Sequence, residues 1–491
     1  MARLSVAEVA RAVNGRIASG DPGEACSGAA IDSRAVRGGE VFFAFAGART
    51  DGHRFVGDAL ARGAGAAVVN RGGSDGSVGS VRSVGSTSTG AVIEVADTFR
   101  ALHDLAGHVR RRVPEKLAGI TGSAGKTTTK ELLAAMLSAR FRVAWTPGNL
   151  NNLYGFPLSL LNVPDGTQWM VAEMGMSTPG ELRQLSLLGR PDAAVLTVVR
   201  PVHLEFFTGV EGIAEAKSEL FAGLSPDGLI VANADDPQVA RIARRHAMET
   251  PGWRGRTVWY ATNAPAAAVD VRARDLIAET GPAVGSRFRL TAGGRAVDVR
   301  LPLHGLYNVE NCLAAAACAW AVGVPLEEIA AAVGNVRPAA MRGVVHRVEG
   351  PRGAFTLVDD SYNSNPDALG KALAAARNLR AGRHLAVLGD MLELGPTGPR
   401  FHREGGERAA RMGFSPLAGV GELSRELVAA AQAAGAAAVW LPDAAAAAEW
   451  AGEQVREGDV LLVKGSRGVK LDAVTRHLMA WAGVPSWEGK A

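Results

Sequence analysis

The chain has 491 residues, of which 47% are hydrophobic, so its length suggests three domains and its composition supplies several cores. Its 53 basic and 49 acidic residues leave a formal net charge of +4 and are spread along the chain instead of forming a charged tail. This distribution gives little support to a nucleic acid partner, and it suits an anionic small substrate. The three cysteines have neither metal-ligand nor disulfide spacing, and we expect buried free thiols in a reducing compartment.

No segment of the sequence predicts a signal peptide or a membrane span. Residues 1–15 predict an amphipathic helix whose apolar side carries Leu4, Val6 and Val9, without the continuous apolar core or the cleavage site of a leader. The most apolar window, 312–326, is alanine-rich, shorter than a membrane span and followed by two glutamates. We therefore expect a cytoplasmic protein without membrane insertion, and we expect a monomer.

Residues 1–112 predict a small α/β domain. Strands are expected at EVFFAFAG, AAVVN and AVIEVAD, and helices are expected at FVGDALARGA and TFRALHDLAGHVRRR. Residues 72–90 are rich in glycine and serine and have no apolar pattern, which predicts a flexible surface loop.

Two polar turns of this domain are candidate substrate contacts. Ser33 and Arg34 belong to an Asp-Ser-Arg trio at the end of an apolar segment, and Asp51 and His53 lie in a turn just before a helix. Such groups can hold the uracil and the phosphates of a nucleotide-linked substrate, with the Arg34 guanidinium as the phosphate partner. Ordinary helix caps and turns are the alternative interpretation, because Asp and Ser are common in both.

The second domain, 113–336, begins with the strongest motif of the chain, GITGSAGKTTTK. An apolar strand precedes this glycine-rich turn and an apolar helix pattern follows it, which is the context of a phosphate-binding loop. The glycines let successive N–H groups face phosphate oxygens, Lys126 adds a positive charge, and the Thr127 hydroxyl suits Mg²⁺. The motif is shorter than G-x-x-x-x-G-K-[ST], because Ile120 stands at the first glycine position. The residues predicted to bind ATP in this loop are Gly122, Ser123, Ala124, Gly125, Lys126, Thr127 and Thr128.

The rest of the second domain alternates strands with helices, which predicts a mostly parallel sheet covered on both faces. Ligands of such sheets lie beyond the carboxyl ends of the strands, where Glu173 and His203 are expected. Residues 253–302 contain alternating polar and apolar stretches that predict a small antiparallel insertion. Asn308 and Asn311 share one face at the start of a helix, and contact with a nucleoside and helix capping are equally open interpretations.

Residues 337–491 predict a second doubly wound unit, whose strand-end loops include DDSYNSNP, LGDMLELG and VKGSRG. KGSRG lacks the Lys-[Ser/Thr] order of a phosphate loop, so a second ATP site is not predicted. The predicted fold class is therefore α/β with three domains. These are a small N-terminal α/β domain, a central P-loop ATPase-type domain with a parallel sheet, and a C-terminal Rossmann-like domain.

Eight segments, in this order, resemble the Mur ligase family, the ATP-dependent amide-bond ligases of cell-wall precursor synthesis. They are GITGSAGKTTTKE, TPGNLNNLYGFP, VAEMG, AKSEL, HGLYNVEN, DDSYNSNPDAL, VLGDMLELG and VKGSRG. The last three are similar to those of the members that join D-alanyl-D-alanine to UDP-N-acetylmuramoyl-tripeptide through an acyl phosphate. The resemblance covers nearly the whole chain. It implies these two substrates as partners, ATP and Mg²⁺ as cofactors, and binding of the UDP-linked substrate by the N-terminal domain.

The resemblance also implies a metal site. Thr127, Glu173 and His203 match Mg²⁺ ligands, although the flank RPVHLEFF of His203 departs from the common Asn-Ile-Gly type. Lys217, in AEAKSEL, matches the lysine that becomes carbamylated and helps to place a second Mg²⁺. The implied catalytic residues are Lys126, Glu173, His203 and Lys217.

Nucleotide and substrate contacts are implied in the same way. Asn308 and Asn311 match adenosine contacts and Asp360 matches a ribose contact. Arg347 is preferred to Arg342 as the nucleotide-contacting arginine, because of its distance in sequence from Asp360. The remaining implied substrate contacts, of which the last five are expected near the incoming dipeptide, are Asn151, Asn152, Asn363, Asn365, Lys464, Ser466 and Arg467.

Two other functions, that of a related ligase and that of a P-loop ATPase switch, are alternatives to this one. A folylpolyglutamate synthase or another Mur ligase would share the architecture, but the two polar turns of the N-terminal domain argue against the folate enzyme. A P-loop ATPase that acts as a switch or motor would be expected to show an Asp-terminated second strand motif, an arginine finger and basic surface clusters. The catalytic set described here does not follow that pattern.

Overall fold

The structure of the protein is a computed structural model that describes residues 3–47, 50–72, 90–265, 269–281 and 284–482. Three large sheets divide it into a first lobe (residues 3–112), a middle lobe (113–336) and a third lobe (337–482). The chain is therefore an α/β protein of three lobes, as the sequence predicts. The exact domain boundaries stay predictions, and most of the glycine- and serine-rich stretch predicted as a loop lies outside the described residues.

A five-stranded sheet forms the first lobe. The elements are β1 (Leu4–Ser5), α1 (Val6–Ala12), β2 (Arg16–Ser19), β3 (Ala25–Cys26), β4 (Ala29–Ala30), β5 (Val41–Phe43), α2 (Val56–Ala61), β6 (Ala66–Asn70), β7 (Ala91–Val95) and α3 (Thr98–Arg110). The sheet order is β2-β7-β6-β5-β4, with β1 and β3 paired separately. Neighbours from β4 to β7 run parallel, and β2 joins β7 antiparallel.

The predicted N-terminal helix is shorter than expected. It begins at Val6, because the Ser5 hydroxyl accepts the Glu8 N–H while the Glu8 carboxylate accepts the Ser5 N–H. This reciprocal cap fixes the helix start, so Leu4 lies in β1 and not on the helix. Leu4 is nevertheless buried, and it belongs to the core of the lobe as the apolar pattern predicts.

A nine-stranded sheet forms the middle lobe. The elements are β8 (Lys116–Thr121), α4 (Lys126–Leu137), β9 (Val143–Trp145), α5 (Gly155–Leu161), β10 (Trp169–Glu173), α6 (Glu181–Gly189), β11 (Ala193–Leu196), α7 (Gly209–Ser218), β12 (Leu229–Asn233), α8 (Pro237–Glu249), β13 (Arg256–Ala261), β14 (Val271–Glu279), β15 (Gly285–Ala292), β16 (Arg295–Leu301), α9 (Tyr307–Ala321) and α10 (Leu326–Val333). The order is β16-β15-β14-β13-β12-β11-β8-β10-β9. Strands β8 to β14 pair in parallel, and β8 lies between β10 and β11.

The segment predicted as an antiparallel insertion differs from the expectation in one respect. Strands β14, β15 and β16 are antiparallel to one another, as predicted. They are not a separate unit, however, because β13 pairs with β14 in parallel and so continues the main sheet. The reason is that the inward side chains of these strands, such as Phe288 and Leu290, bury against helix α9 together with the rest of the sheet.

A six-stranded sheet forms the third lobe. The elements are β17 (Val344–Gly350), β18 (Gly353–Asp360), α11 (Pro366–Arg377), β19 (His384–Gly389), α12 (Gly398–Arg411), β20 (Phe414–Val420), α13 (Ser424–Ala433), β21 (Ala438–Leu441), α14 (Ala444–Gln454), β22 (Val460–Lys464) and α15 (Asp472–Met479). The order is β17-β18-β22-β19-β20-β21, parallel except for the edge strand β17. Separate apolar clusters cover its two faces, which is the doubly wound arrangement that the sequence predicts.

One apolar cluster joins the first lobe to the middle lobe. Leu102 and Leu105 of α3 are fully buried in the same cluster as Leu117 of β8 and Met170 of β10. The opposite face of the middle sheet packs on α4 and α9 in a second cluster. The first lobe therefore lies against one face of the middle sheet, and the carboxyl ends of the strands stay open toward the third lobe.

The cysteines and the helices agree with the expectations from composition. Cys26, Cys312 and Cys318 are buried and free, and burial raises the pKa of each thiol to about 12. Within the described ranges, every helix is too short or too polar to cross a membrane.

Arg110 at the end of α3 ties the first lobe to the middle lobe. Its Nε donates a hydrogen bond of 2.7 Å to the Gly189 carbonyl, and its Nη1 donates one of 2.9 Å to the Glu115 carbonyl. The Asp192 carboxylate is 3.7 Å away. Burial lowers the pKa of this guanidinium, and the Asp192 charge opposes that shift. Arg110 thus satisfies carbonyls that would otherwise be buried without partners.

We expect Arg110→Ala to lower the free energy of unfolding by about 2–3 kcal/mol, because buried carbonyls lose their donors and the side chain leaves a gap. Arg100→Ala on the same helix is the control. Its side chain is 83% exposed and 3.8 Å from Asp104, so we expect a change below about 0.5 kcal/mol. Urea unfolding measures both variants, and equal midpoints would contradict the assigned role of Arg110.

Candidate active site

The middle and third lobes enclose a cleft of about 470 Å³ beyond the carboxyl ends of β8, β10 and β11. Most of the residues predicted for the site line this cleft, and they come from both lobes. They are Ser123, Ala124, Gly125, Lys126, Thr127, Thr128, Asn151, Asn152, Glu173, His203, Asn308, Asn311, Asp360, Asn363, Asn365 and Lys464. The predicted residues outside the lining are Ser33, Arg34, Asp51, His53, Gly122, Lys217, Arg347, Ser466 and Arg467.

The glycine-rich turn between β8 and α4 has the backbone that its sequence predicts. Gly125 precedes the helix with φ +83°, a conformation that L side chains rarely adopt. A Cβ at Gly125 would collide with the side-chain amide of Asn311, and a Cβ at Gly122 would collide with the Thr197 hydroxyl. The turn is therefore closed against α9 and β11, and only glycine fits at these two positions.

Glu173 lies at the centre of the cleft floor. Its carboxylate accepts hydrogen bonds of 2.7 Å from the Thr127 hydroxyl and of 2.7 Å from the Asn151 side-chain amide. The Glu173 N–H donates to the Thr146 hydroxyl at 3.1 Å. Glu173 is only 2% exposed, so these bonds stabilise a charge that has lost most of its water.

Two lysines, Lys126 and Lys217, lie close enough for their charges to interact. The Lys126 ammonium donates to the Gly122 carbonyl at 2.9 Å, and burial lowers its pKa while Glu173 opposes that shift. Lys217 is 3% exposed and, within the described part of the chain, makes no hydrogen bond or ion pair. Burial, and then the charge of Lys126, lower the pKa of Lys217 well below its usual value. Both effects disfavour the charged form of Lys217, which lies beside the cleft without lining it.

The third lobe contributes the opposite wall. The Lys464 ammonium, at the end of β22, donates to the Asp360 carboxylate at 2.6 Å and to the Asn363 carbonyl at 3.0 Å. Asn365 caps α11 through a hydrogen bond from the Ala368 N–H. The two loops DDSYNSNP and VKGSRG are therefore held together, because their strands β18 and β22 are parallel neighbours.

Side-chain contacts join the middle and third lobes at the edge of the cleft. The His203 Nδ1 lies 2.5 Å from a carboxylate oxygen of Glu393. The Arg200 Nε lies 3.3 Å from the Asp367 carboxylate, while its Nη1 lies 2.5 Å from Asp236 of its own lobe. A further pair, from Lys371 of the third lobe to Glu310 of the middle lobe, measures 3.3 Å. The lobes are thus in direct contact around the cleft.

The structure places Arg342, and not the predicted Arg347, at the cleft. Arg347 is exposed on β17, where its Nε lies 3.5 Å from Glu349, and it does not belong to the lining of the cleft. Arg342 lines the cleft, with its guanidinium 4.1 Å from the ring centroid of Tyr362. The antiparallel register explains this placement, and contact of either arginine with a nucleotide stays a prediction. Val344 pairs with Asp359, so each further residue along β17 moves away from the loop that follows Asp360.

Asn308 and Asn311 do not cap helix α9. The Asn308 side-chain amide donates to the His304 carbonyl at 2.7 Å, and the Asn311 amide donates to the Asn308 side-chain oxygen at 3.0 Å. An N-cap side chain would instead accept a backbone N–H of the first turn. Both residues are buried against the glycine-rich turn and line the cleft.

The polar turns of the first lobe have the hydrogen bonds of ordinary caps. The Asp32 carboxylate accepts the Arg34 N–H and pairs with the Arg34 guanidinium at 2.7 Å, while Ser33 is buried beside them. The Asp51 carboxylate accepts the His53 N–H, and the two His53 ring nitrogens contact Asp51 and the Asn70 N–H. The observed bonds are thus those of ordinary helix caps and turns, the alternative interpretation given above. Contact of these turns with the substrate stays a prediction.

The last two predicted residues outside the lining are Ser466 and Arg467. The Ser466 hydroxyl accepts the Leu392 N–H at 3.0 Å and so connects two loops of the third lobe. The Arg467 side chain is half-exposed, 3.7 Å from Asp472. Neither faces the cleft in this arrangement.

The sequence reasoning missed Lys130, which supports the site from beneath. Its ammonium is fully buried and donates to the Thr146 carbonyl at 2.7 Å and to the Gly148 carbonyl at 3.1 Å. A lysine one turn after Lys126, just before the apolar run of the same helix, was the available signal. Other lining residues that belong to the quoted motifs but had no predicted role are Asn149, Gly175, Tyr307, Glu310, Tyr362, Asp367 and Ala368.

The residues present suit a cation that keeps water and substrate ligands. In the described part of the chain, no group of three or more His, Cys, Asp or Glu side chains could hold a metal by itself. The hydroxyl of Thr127 and the carboxylate of Glu173 nevertheless meet on the cleft floor. One carboxylate and one hydroxyl, completed by phosphate oxygens and water, are a set of ligands that Mg²⁺ accepts.

Comparisons with known proteins agree with this geometry. The chain matches the models of the Mur ligase family, catalytic domain, over residues 26–110, the Mur ligase middle domain over 120–319, and the Mur ligase, glutamate ligase domain over 345–467. It is 31% identical to UDP-N-acetylmuramoyl-tripeptide–D-alanyl-D-alanine ligase of Bacillus subtilis, over 98% of this chain and 99% of that protein. The ligase of the same name from Escherichia coli is 33% identical, over 91% and 92% of the two chains.

Solved structures show the same fold. A crystal structure of MurF from Acinetobacter baumannii is 27% identical, with a TM-score of 0.82 over 97% of this chain and 99% of that chain. A structure of MurF ligase from Thermotoga maritima in complex with ADP is 28% identical, with a TM-score of 0.74 over 94% and 99% of the chains. The similarity extends through all three lobes, and the chain belongs to the Mur ligase family, a family of ATP-dependent ligases.

Proposed function

We propose that the protein joins D-alanyl-D-alanine to UDP-N-acetylmuramoyl-tripeptide, with ATP converted to ADP and phosphate. The observation that carries the proposal is one cleft that unites the glycine-rich turn, buried Glu173 and the Asp360–Lys464 pair of the facing lobe. The two ligases described above are named for this reaction, and they match this chain along nearly their whole length. The product is the UDP-muramoyl-pentapeptide of peptidoglycan synthesis.

The first step is phosphorylation of the substrate carboxylate. A carboxylate is a poor acyl donor, and attack of its oxygen on the γ-phosphorus of ATP forms an acyl phosphate and releases ADP. Several anionic oxygens then crowd together, so the step needs positive charge that is already in position. Lys126 supplies that charge, and the N–H groups at the start of α4 supply further donors.

We propose Mg²⁺ as a cofactor of this step. Thr127 and Glu173 would hold it, and when bound the ion screens the charge that develops between the phosphoryl group and its acceptor. His203 is proposed as a further ligand, and its Nδ1 contact with Glu393 leaves its other ring nitrogen for that purpose.

A carbamate on Lys217 is proposed as the link between this lysine and a second cation. The neutral amine attacks carbon dioxide, a C–N bond forms and the nitrogen releases one proton, so the neutral amine becomes an anionic carbamate whose oxygens can ligate a cation. Burial without a partner favours the neutral amine that this chemistry requires.

Amide formation needs the third lobe. The amino group of D-alanyl-D-alanine attacks the acyl carbon, the C–O bond to phosphate breaks, and the amine gives up a proton. Water would compete with the amine, and closure of the third lobe over the cleft excludes it. Asn363, Asn365, Lys464 and the following Ser466 and Arg467 belong to the loops nearest the proposed dipeptide position.

The three predicted domains divide these tasks. We assign 1–112 to the UDP-linked substrate, with Ser33, Arg34, Asp51 and His53 as candidate contacts, 113–336 to ATP, and 337–491 to closure and the dipeptide. Asn151 and Asn152 lie on the loop that faces both the first lobe and the cleft. We further propose a monomer that works in the cytoplasm, where ATP is supplied.

The decisive measurement is phosphate release by the purified protein. We expect release only when ATP, Mg²⁺, UDP-N-acetylmuramoyl-tripeptide and D-alanyl-D-alanine are all present, with the pentapeptide detected by mass spectrometry. Lys126→Ala should lower the rate by about 10³-fold or more, because its charge acts on the transferred phosphoryl group. Phosphate release in the absence of UDP-N-acetylmuramoyl-tripeptide and D-alanyl-D-alanine would reject the ligase in favour of an ATPase switch. Phosphate release stimulated by nucleic acid would have the same consequence.

Arg342 and Arg347 make a matched pair of variants. We expect Arg342→Ala to raise the KM for ATP by about tenfold or more, because a cation that lines the cleft is lost. Arg347→Ala should change this KM by less than about twofold, since its side chain is 71% exposed outside the cleft. Steady-state kinetics at varied ATP concentration measures the KM of both variants. A larger increase for Arg347→Ala than for Arg342→Ala would support the prediction made from sequence.

Lys217→Ala should be inactive and should recover partial activity in short-chain carboxylates, which replace the carbamate oxygens. Lys116→Ala serves as the control for loss of a lysine, because this lysine lies at the opposite end of the middle sheet, near Trp169. Full activity of the Lys217 variant without added carboxylate would exclude the carbamate.

A further inference from the structure

One contact between the middle and third lobes falls on a residue proposed to hold the cation. The His203 Nδ1 of the middle lobe lies 2.5 Å from a carboxylate oxygen of Glu393 in the third lobe. His203 lines the cleft, whereas Glu393 does not belong to its lining. Within the described ranges, this contact is the only hydrogen bond of the His203 ring, so its Nε2 is unused. The third lobe thus supplies the polar partner of a cleft residue that belongs to the other lobe.

The backbone at both residues has an unusual conformation. His203 has φ +54° and Glu393 has φ +62°, in the left-handed region that residues with a side chain rarely adopt. Such strain persists where the surrounding structure holds it, and it is frequent at functional sites. Beside this contact, the Glu205 N–H donates to the Glu393 carbonyl at 3.4 Å, and a Cβ at Gly395 would lie 3.2 Å from the Glu205 Cα. The two loops therefore fit closely against each other around the pair.

The loop that carries Glu393 is fixed to the third lobe. The Met391 N–H donates to the His402 Nε2 at 2.9 Å. The next N–H, that of Leu392, donates to the Ser466 hydroxyl at 3.0 Å. Both acceptors are buried side chains of the third lobe. Glu393 therefore moves with this lobe as a rigid part of it, and its carboxylate reaches the middle lobe only when the two lobes are in contact.

The loop that carries His203 is fixed to the glycine-rich turn of the middle lobe. The Ser123 N–H donates to the Val198 carbonyl at 2.7 Å, and the Ser123 hydroxyl donates to the Arg200 carbonyl at 3.0 Å. The Phe206 N–H closes a turn onto the His203 carbonyl at 2.9 Å. These bonds hold the main chain, but none of them holds the imidazole ring. The orientation of the ring therefore depends on the partner of its Nδ1.

A histidine that binds a metal through one ring nitrogen usually donates its other N–H to a carboxylate or a carbonyl, which fixes the tautomer and the orientation of the ring. We propose that Glu393 is a positioning residue for the cation site: its carboxylate orients the His203 ring and leaves Nε2 free for the ion, and it does so only when the third lobe contacts the middle lobe. The proposal rests on the proposed function, in which His203 is a cation ligand. Since Glu393 does not line the cleft, it acts through His203 and not on the substrates.

Cation binding and contact between the lobes then favour each other. If lobe contact orients a ligand and so raises the affinity for the cation, the bound cation must favour lobe contact by the same factor. The cation is held most tightly when the lobe proposed to bring the dipeptide is in place. Phosphorylation of the carboxylate is thereby favoured when the amine that consumes the acyl phosphate is close by.

Direct binding of Mn²⁺, which stands in for Mg²⁺, tests the role of Glu393 without turnover. The full-length protein with ADP is titrated with Mn²⁺, and the electron paramagnetic resonance signal of the free ion reports binding, with ADP alone as the blank. We expect Glu393→Ala to weaken binding by about tenfold or more, because the ring of a ligand is no longer oriented. Glu393→Gln should weaken it less, since an amide oxygen can still accept the Nδ1–H. The Glu393 side chain is 48% exposed, so we expect both variants to fold.

Lys371→Met is the matched control for a weaker junction. Lys371 of the third lobe pairs with Glu310 of the middle lobe at 3.3 Å, and both side chains are 30% exposed. This pair joins the same two lobes without touching His203, so we expect a change in Mn²⁺ affinity of less than about twofold. The double variant His203→Ala, Glu393→Ala completes a cycle. We expect it to bind Mn²⁺ no more weakly than His203→Ala alone, because Glu393 acts through that ring.

The Mg²⁺ dependence of the ligase rate separates positioning from a general loss of structure. We expect Glu393→Ala to raise the KM for Mg²⁺ by about tenfold and to regain kcat within about twofold of the wild type at saturating Mg²⁺. If the wild type forms no pentapeptide, the proposed function fails. If it forms pentapeptide while Glu393→Ala binds Mn²⁺ as tightly as the wild type, only the role of Glu393 fails.

Two further results would overturn the proposal. An equal loss of Mn²⁺ affinity in Lys371→Met and Glu393→Ala would show that the contact only joins the lobes. Losses that add up in the double variant would show that Glu393 acts on the cation independently of His203.

Discussion

The buried carboxylate of Glu173 is the interaction on which the rest of the site depends. It receives the hydroxyl of Thr127 from the helix after the glycine-rich turn and the amide of Asn151 from the neighbouring loop. Lys130 fastens the same loop from below through two carbonyls. A carboxylate so far from water is tolerable only when its oxygens have donors, and these donors come from separate segments. The hydrogen bonds of the Glu173 carboxylate therefore hold two strands, the start of one helix and one loop in fixed positions relative to one another.

Much of the site could be predicted from sequence because parallel sheets bring strand ends together. Glu173 ends one strand and His203 follows the next strand along the chain, and the rule that ligands lie at the carboxyl ends predicts that the two come together. The glycine-rich turn was recognisable from the strand before it and the helix after it. In the structure its glycines avoid collisions with neighbouring side chains. Sequence distance from Asp360 favoured Arg347, but that distance says nothing about strand direction, and Arg342 lines the cleft instead. In an antiparallel hairpin, residues further along the chain move away from the loop instead of toward it.

Other features were beyond the reach of sequence reasoning. Asx-type turns have the same local pattern whether they bind a ligand or only cap a helix, so Asp32 and Asp51 could not be assigned from their neighbours. Contacts between lobes, such as Arg200 with Asp367, join residues that are far apart in the chain and follow from no periodicity.

Arg200 shows how the lobes can separate at low cost. Its guanidinium keeps Asp236 of its own lobe at 2.5 Å, whether or not Asp367 of the third lobe stays 3.3 Å away on its other side. Departure of the third lobe therefore leaves Asp236 paired. The pairs that are lost, Arg200–Asp367, His203–Glu393 and Lys371–Glu310, are all partly exposed. Such a junction aligns the two lobes when they meet, and its release exposes the cleft, as each turnover of the proposed reaction requires for substrates to enter and the product to leave.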